Sequence, residues 1–463
     1  MKVKVESSRI VKPLYDAAAP APEWMPLSVF DTATYDESIA IIYAFRPPNP
    51  PSAAMELGLA RTLAVYREWA GRLGVGPDGR RSVLLSDAGA RLDEAAVDAP
   101  LAAAAPFIIR RRPSPEVKRL HPSVDGAPAE EELLRVQVTR FSCGSMVLGV
   151  AAHHRVADGQ ATAGFLVAWG LATRRGGLLP AVGVPVRDRA TRFVPRDPPL
   201  VEFPHRETEY KAPPPPAKIK SGVAGEDDDD DDELGAAPAH DKIKMHKVHY
   251  TKDFVARLKS RASSGLPPSR RGRGYTTFES LVAHLWRAVT AARGLGAAAT
   301  TTRVRIAVNG RARMRPPVPR DYFGNLVLWA FPRCDAGELV ARPSHHAAEL
   351  IHRAVAGIDD AYFRSFVDFA SSGAVEAEGL VPTADAGEVV VCPDMEVDSW
   401  LGMSFYDLDF GGGCPLYFMP SYLAMEGTIF LVPSFLGDGS IDVYVPLFEN
   451  HLEEFKKICY NIA

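Results

Sequence analysis

Two adjacent histidines, His153 and His154, are followed by Asp158 and Gly159 in the order H-x-x-x-D-G. Imidazole titrates near neutrality, at about 6.5 when unperturbed, so it can take a proton from a nucleophile and later return it. Either histidine is a candidate general base, and acyl transfer is a reaction that needs that exchange. The run before them, V-L-G-V-A-A, reads as a buried strand that delivers a reactive side chain into a short polar turn. Gly159 would let the backbone turn sharply where a Cβ would crowd an approaching substrate. Far downstream, Asp409-Phe410-Gly411-Gly412-Gly413 forms a second unusual stretch.

The elements that must hold these residues follow from periodicity and punctuation. Residues 2–12 alternate as a half-buried strand, and the apolar run 39–45 is a second strand ended by prolines at 47, 48, 50 and 51. Leucines and alanines at helical spacing predict one amphipathic helix over 53–73, closing in W-A-G-R-L, with its tryptophan and leucines in the core. Strands are expected over 133–141 and 145–152, joined at Cys143-Gly144, and a helix over 161–174. The chain then turns proline-rich and strongly acidic, with Glu226 to Glu233 an unbroken acidic block. Such a block cannot bury apolar surface and repels itself, so a mobile crossover over 206–241 is expected. The second half restarts with a strand over 242–250, helices over 252–262, 277–293 and 344–358, and a strand over 304–308. Strands over 388–391, 428–433 and 441–446 and a helix over 452–460 complete it. Thr276 or Thr277 caps the 277–293 helix, with Glu279 in its first turn.

Size and composition bound the function. A chain of 463 residues makes two domains of ordinary size, here 1–205 and 242–463 on either side of the crossover. Hydrophobic residues at 46% and charged residues at 24% are those of a folded globular protein. A net charge of −4 with no basic face gives nucleic acid little to bind. Five scattered cysteines form neither a C-x-x-C pair nor a metal-ligand spacing, so reduced thiols and no metal are expected. The N-terminus lacks an apolar signal core and no run is long enough to span a bilayer, which predicts a cytoplasmic enzyme with no membrane partner. No G-x-G-x-x-G, Walker loop or G-x-S-x-G elbow appears, which leaves bound nucleotides and a serine nucleophile without support.

The pairing of H-x-x-x-D at mid-chain with D-F-G-G-G near the end resembles the two signatures of the plant BAHD acyltransferases, H-x-x-x-D and D-F-G-W-G. Gly412 stands where the family has tryptophan, a loss of packing bulk with no chemical consequence expected. Further blocks follow in family order: S-S-R-I-V-K-P, A-G-R-L, T-F-E-S-L-V-A-H-L-W-R, N-G-R-A-R-M and Y-F-G-N. R-E-W-A-G-R-L-G-V, E-V-D-S-W and S-F-L-G-D-G-S are similar to the cereal-grass branch that holds agmatine coumaroyltransferases and related amine hydroxycinnamoyltransferases.

The resemblance implies an α/β fold of two similar chloramphenicol-acetyltransferase-like domains, each a mixed sheet flanked by helices, with a solvent channel between them. Part of the C-terminal half would complete the N-terminal sheet. It implies a monomer with no bound cofactor, which takes acyl-CoA as co-substrate and a small-molecule acceptor. His154 would be the general base, and Trp400 would offer its indole N–H to the oxyanion. Asp158 would hold the loop by pairing with Arg311 or Arg313, and Asp409, with Phe410, Gly411 and Gly413, would form a structural turn. The family's threonine before S-W is Asp398 here. A carboxylate there, with Glu396 two residues earlier, would attract a cationic amine and repel shikimate or quinate. Thr276, Thr277 and Lys259 are the candidates for CoA contacts. Expected acceptors are agmatine, putrescine, tryptamine or tyramine, with an alcohol such as shikimate or glycerol as the alternative, and a non-catalytic binding relative as a remote one.

Overall fold

A computed structural model describes residues 1–124, 132–178, 184–213, 243–264, 266, 274–297, 299–385, 391–421 and 425–462. The acidic block at 226–233 and most of the strand expected over 388–391 lie outside them. The main strands of the first half are β1 (Lys4–Val11), β2 (Ser38–Phe45), β3 (Ala90–Val97), β4 (Leu134–Phe141) and β5 (Met146–His153). Those of the second are β6 (Ile243–Tyr250), β7 (Thr301–Asn309), β8 (Val327–Ala330), β9 (Met395–Ser399), β10 (Tyr417–Pro420), β11 (Thr428–Pro433) and β12 (Ile441–Phe448). The longer helices are α1 (Ser52–Val65), α2 (Gly159–Arg174), α3 (Lys252–Ser263), α4 (Thr277–Ala292), α5 (Ser344–Gly357), α6 (Asp360–Ala370) and α7 (Glu449–Ile458).

Two mixed sheets carry the molecule. The first runs β1-β3-β4-β5-β2-β10, with β3 and β4 parallel and the other neighbours antiparallel. Its last strand comes from the C-terminal half, Tyr417 opposite Ala44 and Pro420 opposite Ile41. The second runs β6-β12-β11-β9-β7-β8, with β9 parallel to both neighbours and the short strand Arg333–Asp335 joined to β7. β5 lies inside the sheet between β4 and β2 and is buried along its whole length, on both faces, which is why it reads as a continuous apolar run. α1 and α2 share the first core, where the Trp169 indole donates to the Met55 carbonyl at 2.8 Å. α3, α4, α5 and α7 share the second.

The helix expected over 53–73 ends at Val65. Tyr66 leaves helical geometry, Arg67–Ala70 make a single 3-10 turn, and Arg72–Val75 pair as a strand with Arg81–Leu84. The cause is tertiary. The Arg67 guanidinium reaches Asp87 at 3.0 Å and the Leu85 carbonyl at 2.9 Å, and Trp69 is fully buried against Phe165 and Phe323. Apolar spacing cannot register those distant partners. At the head of the expected crossover, Tyr210–Lys211 pair with Val381–Pro382.

Candidate active site

β5 closes at His153, so the two histidines leave the strand in different directions. His153 lies 3.7 Å from Asp36, and burial, helped by Arg155, holds its pKa down to about 4. His154 lines a cavity of about 410 Å³ between the two sheets; His153 does not. Its peptide is pinned on both sides: the N–H donates to Glu37 O at 2.9 Å, and its carbonyl accepts from Asn325 Nδ2 at 2.8 Å. The ring sits edge-on to Tyr35, and Nδ1 is 3.1 Å from the Thr34 hydroxyl. Burial lowers the His154 pKa, with Asp158 opposing, so the ring is a free base at neutral pH.

The Thr34 hydroxyl can accept from Nδ1–H, and in that tautomer Nε2 keeps its lone pair for substrate. A Thr34→Val variant is expected to lose about tenfold in kcat with KM little changed, the worth of one orienting hydrogen bond. Thr34→Ser should restore it; a Ser variant as impaired as Val would exclude the hydroxyl from this role.

Asp158 is consumed by structure. It caps α2, its Oδ1 accepting from Ala161 N at 3.0 Å. Arg311 donates two hydrogen bonds to it, at 2.7 and 3.0 Å, and Leu326 N donates at 3.2 Å. Of the two arginines left open by the sequence, Arg311 is the partner. Arg313 instead donates to the Val355 and Ile358 carbonyls. Gly159 is the first residue of α2 and not a sharp turn, which corrects the reason expected for it. A Cβ there would meet the Met403 sulfur at 2.9 Å, so the glycine admits Met403 beside the cavity.

A second buried ion pair stands next to the first and was missed by sequence reasoning. Arg189 donates to Asp31 at 3.1 Å and to the Val156 and Phe323 carbonyls. Asp31 Oδ1 also accepts from Asn325 N and Nδ2, and the same Asn325 amide holds His154. The only local signal was the S-x-x-D capping box of Ser28 and Asp31.

Glu396 and Asp398 share one face of β9, Trp400 follows directly after its last residue, and all three line the cavity. Trp400 packs on Phe405, Phe418 and Phe430, and among the described residues its indole N–H has no hydrogen-bond partner. The Tyr35 hydroxyl donates to Glu396 at 2.9 Å, and Arg305 stands 3.7 Å from the same carboxylate, stacked on Trp329. Asp398 is pushed up to about 7 by burial and by the nearby Glu396, with Arg305 opposing. Two carboxylates against one guanidinium leave this part of the wall poor in positive charge. Tyr35, Arg305 and Trp329 were not foreseen.

Asp409 lies at the other end of α2, about 24 Å of helix from Asp158. It accepts from Arg174 at 3.0 Å and from Gly411 N and Gly413 N at 2.7 and 2.9 Å. Both glycines hold positive φ, as a tight turn requires, and Phe410 packs between Trp169 and Phe45. Gly412 lies so close to Pro48 that a Cβ would come within 2.1 Å of its carbonyl oxygen, so the turn as built has no room for a tryptophan. Thr276 is the N-cap of α4 in a capping box with Glu279, Thr277 opens that helix, and Lys259 is on α3; none of the three lines the cavity. A second cavity of about 400 Å³ shares Gln160 and Gly402 with the first and extends along α2 past Ala161, Gly164 and Ala168. Together they give room for two ligands in adjoining cavities, the first of them lined by His154.

The model of the Transferase family matches residues 1–462. A putrescine hydroxycinnamoyltransferase of Oryza sativa subsp. japonica is 55% identical over 465 residues, covering 100% of both chains. Agmatine coumaroyltransferase-1 of Hordeum vulgare is 51% identical over 466 residues, again 100% of both. Among solved structures, vinorine synthase superposes with a TM-score of 0.68 at 21% identity, covering 98% of this chain and 96% of that one, which shows a shared fold.

Proposed function

Since the chain belongs to the Transferase family of BAHD acyltransferases, we propose that it moves a p-coumaroyl- or feruloyl-type group from CoA to a primary amine, with agmatine or putrescine the best acceptors. One observation carries the reading: a single cavity joins a free-base imidazole to two carboxylates, Glu396 and Asp398. The far cationic end of a diamine or of agmatine suits that acidic wall, and its near nitrogen suits His154.

The neutral amine attacks the thioester carbonyl, and its nitrogen becomes cationic and acidic in the tetrahedral intermediate. His154 Nε2 takes that proton, the C–S bond breaks, and the imidazolium returns the proton to the CoA thiolate, leaving an amide and a free thiol. Trp400 supplies a hydrogen bond to the carbonyl oxygen as it gains charge. No covalent enzyme intermediate is needed, because one channel holds both substrates. Asp158, Arg311 and the Asp409 turn hold α2 and the His154 loop in place. The halves 1–205 and 242–463 form the two walls.

The unpaired cysteines support a reducing cytoplasm. Among the described residues no helix is long and apolar enough to cross a membrane. Phenolic amide synthesis in plant defence is the role that fits.

Purified protein is given p-coumaroyl-CoA with agmatine, putrescine, tryptamine, tyramine, shikimate, quinate or glycerol, and thiol release is followed. Agmatine and putrescine should give the highest kcat/KM; turnover only with the alcohols would overturn the reading. Asp398→Asn should raise the agmatine KM by about 30-fold or more, the loss expected when a buried charge loses its partner. Because Asp398 is raised to about 7, it takes up a proton as pH falls through that value. The KM for agmatine should therefore rise more steeply below pH 7 in the wild type than in Asp398→Asn, where only the protonation of the acceptor amine, common to both proteins, remains. A KM unaffected by the substitution would remove Asp398 from acceptor recognition.

A further inference from the structure

Away from the cavity, the short strand Arg333–Asp335, the helix Ala336–Ala341 and the start of α5 bring three unlike side chains together. Cys334 Sγ is 3.6 Å from His346 Nε2, and that nitrogen is 3.7 Å from Glu338 Oε1. All three candidate ligand atoms lie within 4.8 Å of one another, and among the described residues this is the one group of three such ligands. For zinc bonds of about 2.3 Å to sulfur and 2.05 Å to nitrogen at the tetrahedral angle, the S···N separation is about 3.6 Å, and for nitrogen with oxygen about 3.4 Å. The two separations that involve His346 lie within about 0.3 Å of those values, and the half-buried Glu338 side chain can swing its carboxylate toward the sulfur.

We propose that Cys334, Glu338 and His346 form a binding site for a zinc-class divalent cation, with thiolate, carboxylate and imidazole as three ligands and a water molecule completing a tetrahedral shell. One soft and two borderline or hard donors select Zn²⁺ over Mg²⁺ or Ca²⁺, which prefer all-oxygen shells. Arg342 pairs with the same Glu338 carboxylate at 2.8 Å, but its side chain is 58% exposed and can swing into solvent as the cation arrives. The sequence reading expected no metal because the ligands are four and eight positions apart on a strand and two helices, a spacing with no recognised signature.

The bound cation ties the edge strand to α5. Cys334 faces Thr302 across the ladder, and Ala307, five residues further along β7, lines the cavity, about 17 Å away. Binding therefore stabilises the C-terminal half and leaves turnover unchanged.

Full-length protein, stripped with a chelator, is titrated with Co²⁺ alone and then with Zn²⁺ against a chromogenic chelator. The expected result is a thiolate-to-cobalt charge-transfer band saturating at one equivalent, displaced by Zn²⁺, and a higher melting temperature with Zn²⁺. Cys334→Ser abolishes the band. Glu338→Gln and His346→Gln, both partly exposed and therefore safe for folding, weaken Zn²⁺ by at least about tenfold, since even outer partners of metal ligands are worth 10- to 100-fold. Acyl transfer is the same in all three variants and the wild type. A band that survives in Cys334→Ser, as it would if the exposed Cys143 or Cys414 held the metal, overturns the proposal. So does Zn²⁺ affinity unaltered in both Gln variants, or no band at one equivalent.

Discussion

His154→Ala lowers kcat with p-coumaroyl-CoA and agmatine by roughly 10²- to 10⁴-fold, the contribution typical of a general base, while His153→Ala keeps most of the activity. The two side chains are neighbours with the same chemistry, so composition cannot separate them; position does. His154 lines the cavity and is fixed through Thr34, Glu37 and Asn325. His153 is turned toward Asp36 with its pKa held to about 4, so it is neutral and engaged elsewhere. Steady-state kcat at saturating substrates decides the matter, with melting curves showing that both variants fold. Equal losses in the two variants would mean that the base has been assigned to the wrong residue.

Arg311→Met destabilises the folded protein by roughly 3 to 5 kcal/mol, because it strands the Asp158 carboxylate in the interior. Both side chains are nearly inaccessible, at 3% and 4%. Arg311 supplies two of the four hydrogen bonds to that carboxylate and also satisfies the Tyr322 and Gly324 carbonyls. Arg311→Lys should recover only part of the loss, since an ammonium cannot reproduce the planar two-pronged contact. Activity falls in step, because Asp158 caps the helix that begins beside His154. The midpoint of urea unfolding measures the effect. An Arg311→Met protein that unfolds where the wild type does would show that the pair carries no structural weight.

What the sequence disclosed is what local pattern controls. β5 was legible because a strand buried on both faces must be apolar throughout, and α4 because Thr276 is a capping residue in front of apolar periodicity; the Asp158 cap that starts α2 two residues before the expected 161 was not read. The two mixed sheets with flanking helices, and the exchange of a C-terminal strand into the first sheet, came through the family resemblance. Contacts that depend on distant chain segments were not legible. Tyr35 meets Glu396 across 361 positions, and Asp31 meets Asn325 across 294. Arg311 and Arg313 are two residues apart in one turn, and only the folded backbone shows which of them turns inward to Asp158. Likewise Arg67 reads as a helix residue until Asp87 draws it out of the helix.

A crystal structure with CoA and the N-coumaroylagmatine product tests the central claim most directly. The amide nitrogen is expected within hydrogen-bonding distance of His154 Nε2, the guanidinium against Asp398 and Glu396, and the CoA thiol on the opposite side of the imidazole. An amide bound away from His154, or a guanidinium in solvent with the two carboxylates untouched, would contradict it.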